Sequence, residues 1–428
     1  MSSKNLSKSA YWMRVVLLGF FQPMVYFVPY MYYTLGNQMA DYFQTDLPTI
    51  AGFLALYGLI AMISYVPAGI FTDIVGAKRG IVFSMLATTV LLVWYATTSS
   101  ITQLKVIMVL LSLTTIFTFW SSWLVALAKA GSDEDQGKSF AYGYTVVALG
   151  NIVIGLVATA IVGNDASKIP LLVYIIAGIH LIGAIVFQVI LPRNLSSDNK
   201  DDKFKLAHLG EVLKTPGVWY VGIVVFAFYA CLATTNSFNQ LLSEGYGMSD
   251  AQASFVAVFR ANGLGLVAGP ILAAIGIKMK SNAKLIRIVA VIEAILIAAL
   301  MFAPINDSLI IMAIVIVLMV AFLQLGVRSI YFGQMAEAAI PNHILGTATG
   351  VISILAYSAD TFIHTWVANF ITHADGSWNA AGYTNVHMLQ FALLAIGFIF
   401  TTLIIRQQKK LKKQQNEQDA KSATESVA

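Results

Sequence analysis

Arg260, Glu293, Arg328, Asp360 and His364 each stand inside a long apolar stretch of the 428-residue chain. An ionisable side chain in a membrane span costs roughly 2.5–3.5 kcal/mol on insertion scales, so it faces a partner, a cavity or a proton. The chemistry open to these residue types is limited. A guanidinium stays charged and offers a planar fork of donors that matches a carboxylate, phosphate or sulfonate bidentately. A carboxyl among apolar neighbours can take up and release a proton. Asp360 is therefore the leading candidate for proton coupling, and His364, one helical turn later, shares its face. Metal and cofactor chemistry finds no residues: no metal-ligand cluster, His-Glu-x-x-His motif, Ser-based dyad signature or P-loop is visible. No cofactor, metal or enzymatic activity is expected.

Such residues act only if helices hold them. Hydrophobic types make up 58% of the chain and charged ones 11%, about half the charged share of a soluble domain. Apolar runs of about 20 residues, the length that crosses a bilayer, recur near 12–35, 49–72, 80–97, 104–128, 139–162, 169–191, 218–241, 251–276, 285–303, 308–334, 347–371 and 386–405. The expected fold is an all-α membrane protein of 12 transmembrane helices in two six-helix halves. Residues 1–191 form the first half, 192–217 a linker, 218–405 the second half and 406–428 a disordered tail. Within the linker, LAHLGEVLKT is a candidate interfacial helix.

Charge sets the orientation. The loops after the second, fourth, sixth and eighth spans, with both tails, hold nearly all of the 26 Lys and Arg residues, while the opposite loops hold Lys168, with Lys105 near a span end. Positive loops stay in the cytoplasm, so both termini are expected there, in the cytoplasmic membrane. The pI of 9.0 reflects these loops and not a nucleic-acid surface. One cysteine, Cys231, excludes a disulfide framework. The polar start MSSKNLSKSA leads into a span with no small-residue cleavage site, so no removed signal peptide is expected.

Polar side chains recur at helical spacing within the spans. Gln22, Tyr26, Tyr30, Tyr33 and Asn37 form a stripe in the first, and Thr115, Thr118 and Ser122 one in the fourth. Tyr229, Asn236 and Gln240 share a face in the seventh, with Thr235 and Asn239 beside it; Gln324, Arg328 and Tyr331 do so in the tenth; Tyr357, Asp360, Thr361 and His364 do so in the eleventh. A polar face among apolar neighbours looks toward protein or water, not lipid. The substrate set expected from these stripes is Arg328 and Arg260 with Tyr26, Tyr30, Asn236 and Gln324. Each member has a plainer alternative: Arg328 could pair with Glu337 or Asp360, Asp360 could be a permanent counter-ion, and the tyrosines could be helix packing.

The loop GIFTDIVGAKR after the second span returns as GPILAAIGIKM after the eighth, with Gly69, Gly76 and Lys78 answering to Gly269, Gly276 and Lys278. Gly69, Asp73, Gly76, Lys78 and Arg79 match the G-x-x-x-D-x-x-G-x-[KR]-[KR] pattern of the major facilitator superfamily, and the resemblance, with its twelve spans, central linker and degenerate second copy, covers the whole chain. It implies the major facilitator fold, a central path lined by spans one, four, seven and ten, and a gating role for those five residues. Signatures of sugar porters, drug antiporters and peptide transporters are missing. KAGSDEDQGKSFAYG, RSIYFGQMAEAAIP and GVISILAYSADTF look similar to the sugar-phosphate permease and organic-anion branch, although the first-span arginine of its organophosphate antiporters is absent, since Arg14 sits near the cytoplasmic end.

The expected function is secondary active transport of a small organic anion across the cytoplasmic membrane by alternating access. A solute sensor without net transport, or a transporter of a neutral sugar or polyol, are the alternatives. The expected partners are the solute, a coupling proton or counter-substrate and the lipid bilayer, with no nucleic acid, and the expected assembly is a monomer.

Overall fold

The computed structural model describes residues 8–131, 136–192, 209–341 and 344–425. Twelve helical segments among them are long and apolar enough to cross a membrane. In the first half they are span 1 (Lys8–Tyr42), span 2 (Leu47–Val75), span 3 (Ala77–Thr97), span 4 (Ile101–Ala128), span 5 (Gln136–Val162) and span 6 (Ala166–Ile190). In the second they are span 7 (Pro216–Gly245), span 8 (Asp250–Met279), span 9 (Asn282–Phe302), span 10 (Asp307–Gln334), span 11 (Thr347–Phe370) and span 12 (Ala380–Lys410). The count agrees with the periodicity of apolar runs.

Local signals start these helices. Asp46 accepts from the Thr49 amide at 2.9 Å to cap span 2, and Ser249 and Gln252 form a reciprocal capping box at the start of span 8, satisfying amides that have no partner inside the helix. Of the linker, a short helix over Leu209–Lys214 is described; the rest of the expected interfacial helix, 206–208, lies outside the described residues. The tail departs from expectation. The last helix runs from Tyr383 to Glu425, through the segment expected to be disordered. Its Lys, Gln, Glu and Ala residues cannot build a core, but they are strong helix formers and extend a helix already nucleated by span 12.

Within each half, span 1 packs on span 5 and span 3 on span 6, and span 7 packs on spans 11 and 12. The halves meet along two seams, span 2 against span 11 and span 5 against span 8. Exchanging the halves turns one seam into the other, as duplication requires. Small residues bring the seams close. A β-carbon on Gly155 would lie 2.8 Å from a Val258 methyl carbon, an approach that only glycine allows and that drives helix association in lipid, where apolar burial alone supplies little. On the outside, Ile74, Val189, Ile277 and Phe302 are each more than three-quarters exposed, as a lipid-facing surface demands.

Candidate functional site

Three spans of the second half lose regular helical geometry part-way along, and their own side chains explain two of the breaks. In span 7 the helix tightens over Thr235–Ser237, where Thr235 Oγ1 donates to the Leu232 carbonyl at 2.6 Å, Asn236 to Ala233 at 3.1 Å and Ser237 to Thr234 at 2.8 Å. In span 11 it tightens over Ser358–Thr361, where Ser358 donates to Leu355 and Thr361 to Ser358. Short polar side chains compete in this way with the backbone ladder. Span 8 instead widens by a π-type turn over Phe259–Gly263, a distortion that concentrates at functional sites. Arg260 sits in that turn and Asp360 in the tightened one.

The breaks in spans 7 and 8 border a cavity of about 50 Å³ lined by Tyr33, Tyr229, Thr235, Asn236, Arg260 and Arg328, with an apolar side of Leu232, Ala233 and Ala261. Arg260 is buried, at 2% exposure. Its Nη1 donates to Thr235 Oγ1 and Asn236 Oδ1, both at 3.0 Å, and its Nη2 to the Tyr33 carbonyl at 3.1 Å and Asn239 Oδ1 at 3.3 Å. A hydrogen bond to a charged group is worth about 1.5–3 kcal/mol. Four of them offset a desolvation cost of several kcal/mol without a carboxylate. One donor, Nε, stays buried with no partner.

Arg328 is placed differently. It is exposed, and what it is exposed to is the cavity it lines. Around it stand Tyr331, Tyr229, Tyr357 and Tyr33. Neither arginine forms an ion pair among the described residues; the pairs found there are Lys168 with Asp165 and His364 with Asp360. Glu337 and Asp360, the partners weighed for Arg328, are engaged elsewhere, as is Glu293. Glu337 accepts from Ser281 Oγ and the Asn282 amide, both at 2.6 Å, capping span 9. Glu293 accepts from Gln324 at 2.5 Å and from Cys231 Sγ at 3.6 Å. Asp360 accepts from the Tyr229 hydroxyl at 2.8 Å and lies 3.2 Å from His364 Nε2.

Arg328, Arg260 and Asn236 thus share one cavity, while Tyr26, Tyr30 and Gln324 do not line it. Gln324 is turned onto Glu293, inside the second half. Tyr26 donates to the Thr115 carbonyl at 3.0 Å, because span 4 widens over Leu113–Trp120 and leaves carbonyls that side chains must satisfy. Tyr30 packs edge-on against Tyr57 at 5.3 Å. The residues absent from the expected substrate set are Tyr33, Tyr229 and Thr235. All three lay in or beside the polar stripes, but no spacing rule told the cavity-facing turn of a stripe from the turns that pack.

The gate loop turns on one residue. Gly76 separates spans 2 and 3 with φ 87° and ψ 141°, a conformation that glycine adopts without strain. The second copy does not turn at Gly276: its helix continues to Met279 and stops at Lys280, φ 53°. Lys78 is half-buried and Arg79 exposed; the side chain of Asp73, and the surroundings of Gly69, lie outside the described atoms.

At the end of the bundle opposite the termini, hydrogen bonds join the halves. Asn37 Nδ2 donates to Asp250 Oδ1 at 2.7 Å and Ser243 Oγ at 3.1 Å, and Asn37 Oδ1 accepts from Gln240 at 2.6 Å. Gln38 donates to Ser254 Oγ at 3.0 Å, and Asn164 accepts from the Ala251 amide at 2.9 Å.

The Major Facilitator Superfamily model matches residues 15–363, and the chain belongs to that superfamily of membrane transporters. It is similar to Inner membrane protein YqcE of Escherichia coli (strain K12), with 24% identity over 92% of this chain and 95% of the relative. It is also similar to Inner membrane protein YihN of the same strain, with 20% identity over 94% and 97%. Among solved structures the backbone resembles the nucleoside transporter NupG, with a TM-score of 0.71 and 13% identity over 93% of this chain and 98% of that one. It also resembles a bacterial homologue of the human lysosomal transporter Spinster in an inward-facing, unoccupied conformation, with a TM-score of 0.72 and 13% identity over 95% and 99%. The structures speak for the fold; with the family they make this chain a multi-pass membrane transporter and not an enzyme.

Proposed function

We propose that the protein is a secondary active transporter of the cytoplasmic membrane that moves a small organic anion by alternating access, with Arg328 as the clamp and Asp360 with His364 as the proton-coupling pair. The observation that carries this is the contrast between the two arginines. A guanidinium stays protonated at any accessible pH. Arg260 already spends four donors on neutral oxygens, whereas Arg328 faces the cavity among tyrosines with no described carboxylate paired to it. A bidentate carboxylate, phosphate or sulfonate completes it, and the body of the solute then lies against Tyr33 and Tyr229.

A thermal-shift screen of the purified protein against carboxylates, phosphates, sulfonates, neutral sugars and nucleosides tests this. A ligand at about 100 times its dissociation constant adds roughly 2.7 kcal/mol of stability, so the shift is readable. Anions should stabilise the wild type, and Arg328→Lys, which keeps the charge but loses the fork, should weaken the binding at least tenfold. Stabilisation by neutral solutes alone would replace the clamp with tyrosine stacking. Uptake of the identified solute into proteoliposomes separates a transporter from a sensor, and Asp360→Asn should abolish proton-driven accumulation while keeping exchange.

A further inference from the structure

The proposed anion site and the proposed proton site do not touch through Arg328. They meet at two tyrosines that line the cavity: Tyr229, which donates to Asp360 Oδ2, and, from the first half, Tyr33. The Tyr33 carbonyl accepts from Arg260 Nη2 and from Asn239 Nδ2, each at 3.1 Å. Its hydroxyl lies 3.3 Å from His364 Nε2, the same nitrogen that lies 3.2 Å from Asp360 Oδ1. Its ring stacks obliquely on the imidazole, 5.4 Å between centroids at 45°, and borders the cavity. Backbone irregularity makes the double role possible. Span 1 is interrupted after Phe27 and resumes at Tyr32, and Leu35 has the non-helical angles φ −122° and ψ 31°. A carbonyl beside such a break is free to accept from donors outside its own helix.

We propose that Tyr33 is the residue that couples the two sites: its hydroxyl registers the protonation of the Asp360–His364 pair while its carbonyl holds Arg260 at the cavity. This rests on the anion-and-proton reading above and deepens it. His364 Nε2 presents either one N–H or one lone pair, so the Asp360 carboxyl and the Tyr33 hydroxyl compete for a single position. A proton added to the pair changes which of them it serves and turns the hydroxyl. An anion clamped by Arg328 in the same cavity lies against the ring of Tyr33, the residue whose carbonyl holds Arg260. Both ligands therefore act on one turn of span 1, four residues before Asn37 at the closed end, and each changes the affinity for the other by the same factor. The titratable and charged groups facing the pair are tyrosines from three other spans, namely Tyr30 and Tyr32 beside Tyr33, Tyr57 and Tyr65 of span 2, and Tyr229 of span 7. Arg328 and Arg260 line the same cavity as Tyr33 and are the cations near it. Tyr33 is a positioning residue, distinct from the clamp.

Tyr33→Phe removes the hydroxyl and keeps the ring and the carbonyl. With spin labels on cysteines introduced at Thr45 and Ser377, in distal loops of the two halves, the inter-label distance distribution should shift in the wild type between about pH 5.5 and pH 8. In Tyr33→Phe that shift should disappear. His364→Gln, which keeps a hydrogen-bonding group but cannot titrate, should lose it as well. A pH shift of wild-type size in either variant, or none in the wild type, overturns the coupling role. Benzoate and inorganic phosphate, added as anion probes, form a separate arm: if neither moves the labels nor raises the melting temperature, the anion reading fails while the pH result still decides Tyr33.

Discussion

Gly58 of span 2 lies directly against Asp360 of span 11, so closely that a β-carbon at position 58 would come within 2.8 Å of the Asp360 β-carbon and 3.3 Å of its carbonyl carbon. Asp360, midway along span 11, is thereby pressed onto the first half along one of the two seams. Any sliding of span 2 over span 11 must carry Gly58 across Asp360, the residue bonded to Tyr229 and His364. Gly58→Ala should cost about 1–3 kcal/mol by overpacking, lower the melting temperature, and impair transport more than an alanine placed at Gly52, where a β-carbon meets nothing within 4 Å. Equal behaviour of the two variants would show that the seam tolerates displacement.

Both termini should face the cytoplasm. The confinement of basic residues to alternate loops motivates this, and single cysteines at Thr45 and Ser377 should react from outside intact cells with an impermeant thiol reagent. Cys231, buried to 0% exposure between spans, should stay silent and serve as its own background. Labelling of either introduced cysteine only after the membrane is opened would invert the topology.

Much of the architecture was legible in the chain because membrane folding is governed by two simple demands, apolar length and backbone satisfaction. The twelve spans, the six-and-six division and the family all follow from them and from the repeated loop. The site was legible at the level of residue type. Arg260, Arg328 and Asn236 stood out because burying them is costly, and they do share a cavity. Gln324 and Tyr26 stood out for the same reason, yet they satisfy Glu293 and the Thr115 carbonyl. Cost identifies a residue that needs a partner; only the helix breaks at Leu35, Thr235 and Phe259 decide which partner it meets. The break at Thr235 follows from competition between side chain and backbone, to which hydrophobic periodicity is blind.

Asp73 should govern the rate of conformational exchange and not solute affinity. It stands three residues before the Gly76 turn, at the membrane edge and far in sequence from every residue lining the cavity. Asp73→Asn should slow uptake while leaving the dissociation constant within about threefold, under about 0.7 kcal/mol. Loss of binding comparable to the loss of rate would place the carboxylate in the solute path instead.

Asn37 should be the principal latch of the closed end. It reaches three residues of the second half at once, Asp250, Ser243 and Gln240, and it belongs to the same span as Tyr33. Three neutral or singly charged hydrogen bonds are each worth about 0.5–1.5 kcal/mol net. Their combined loss therefore exceeds the 1.4 kcal/mol that changes a population tenfold. Gln38 and Asn164 hold the neighbouring contacts, so Asn37→Ala should loosen the closure without unfolding it. A cysteine at Ala261, on the cavity wall, reports the outcome. In the Asn37→Ala background an impermeant thiol reagent added from outside should modify it about ten times faster than in the parent. An unchanged rate, with the protein folded and its melting temperature within a few degrees of the parent, would mean that the seams between spans 2 and 11 and between spans 5 and 8 hold the closed end without this network.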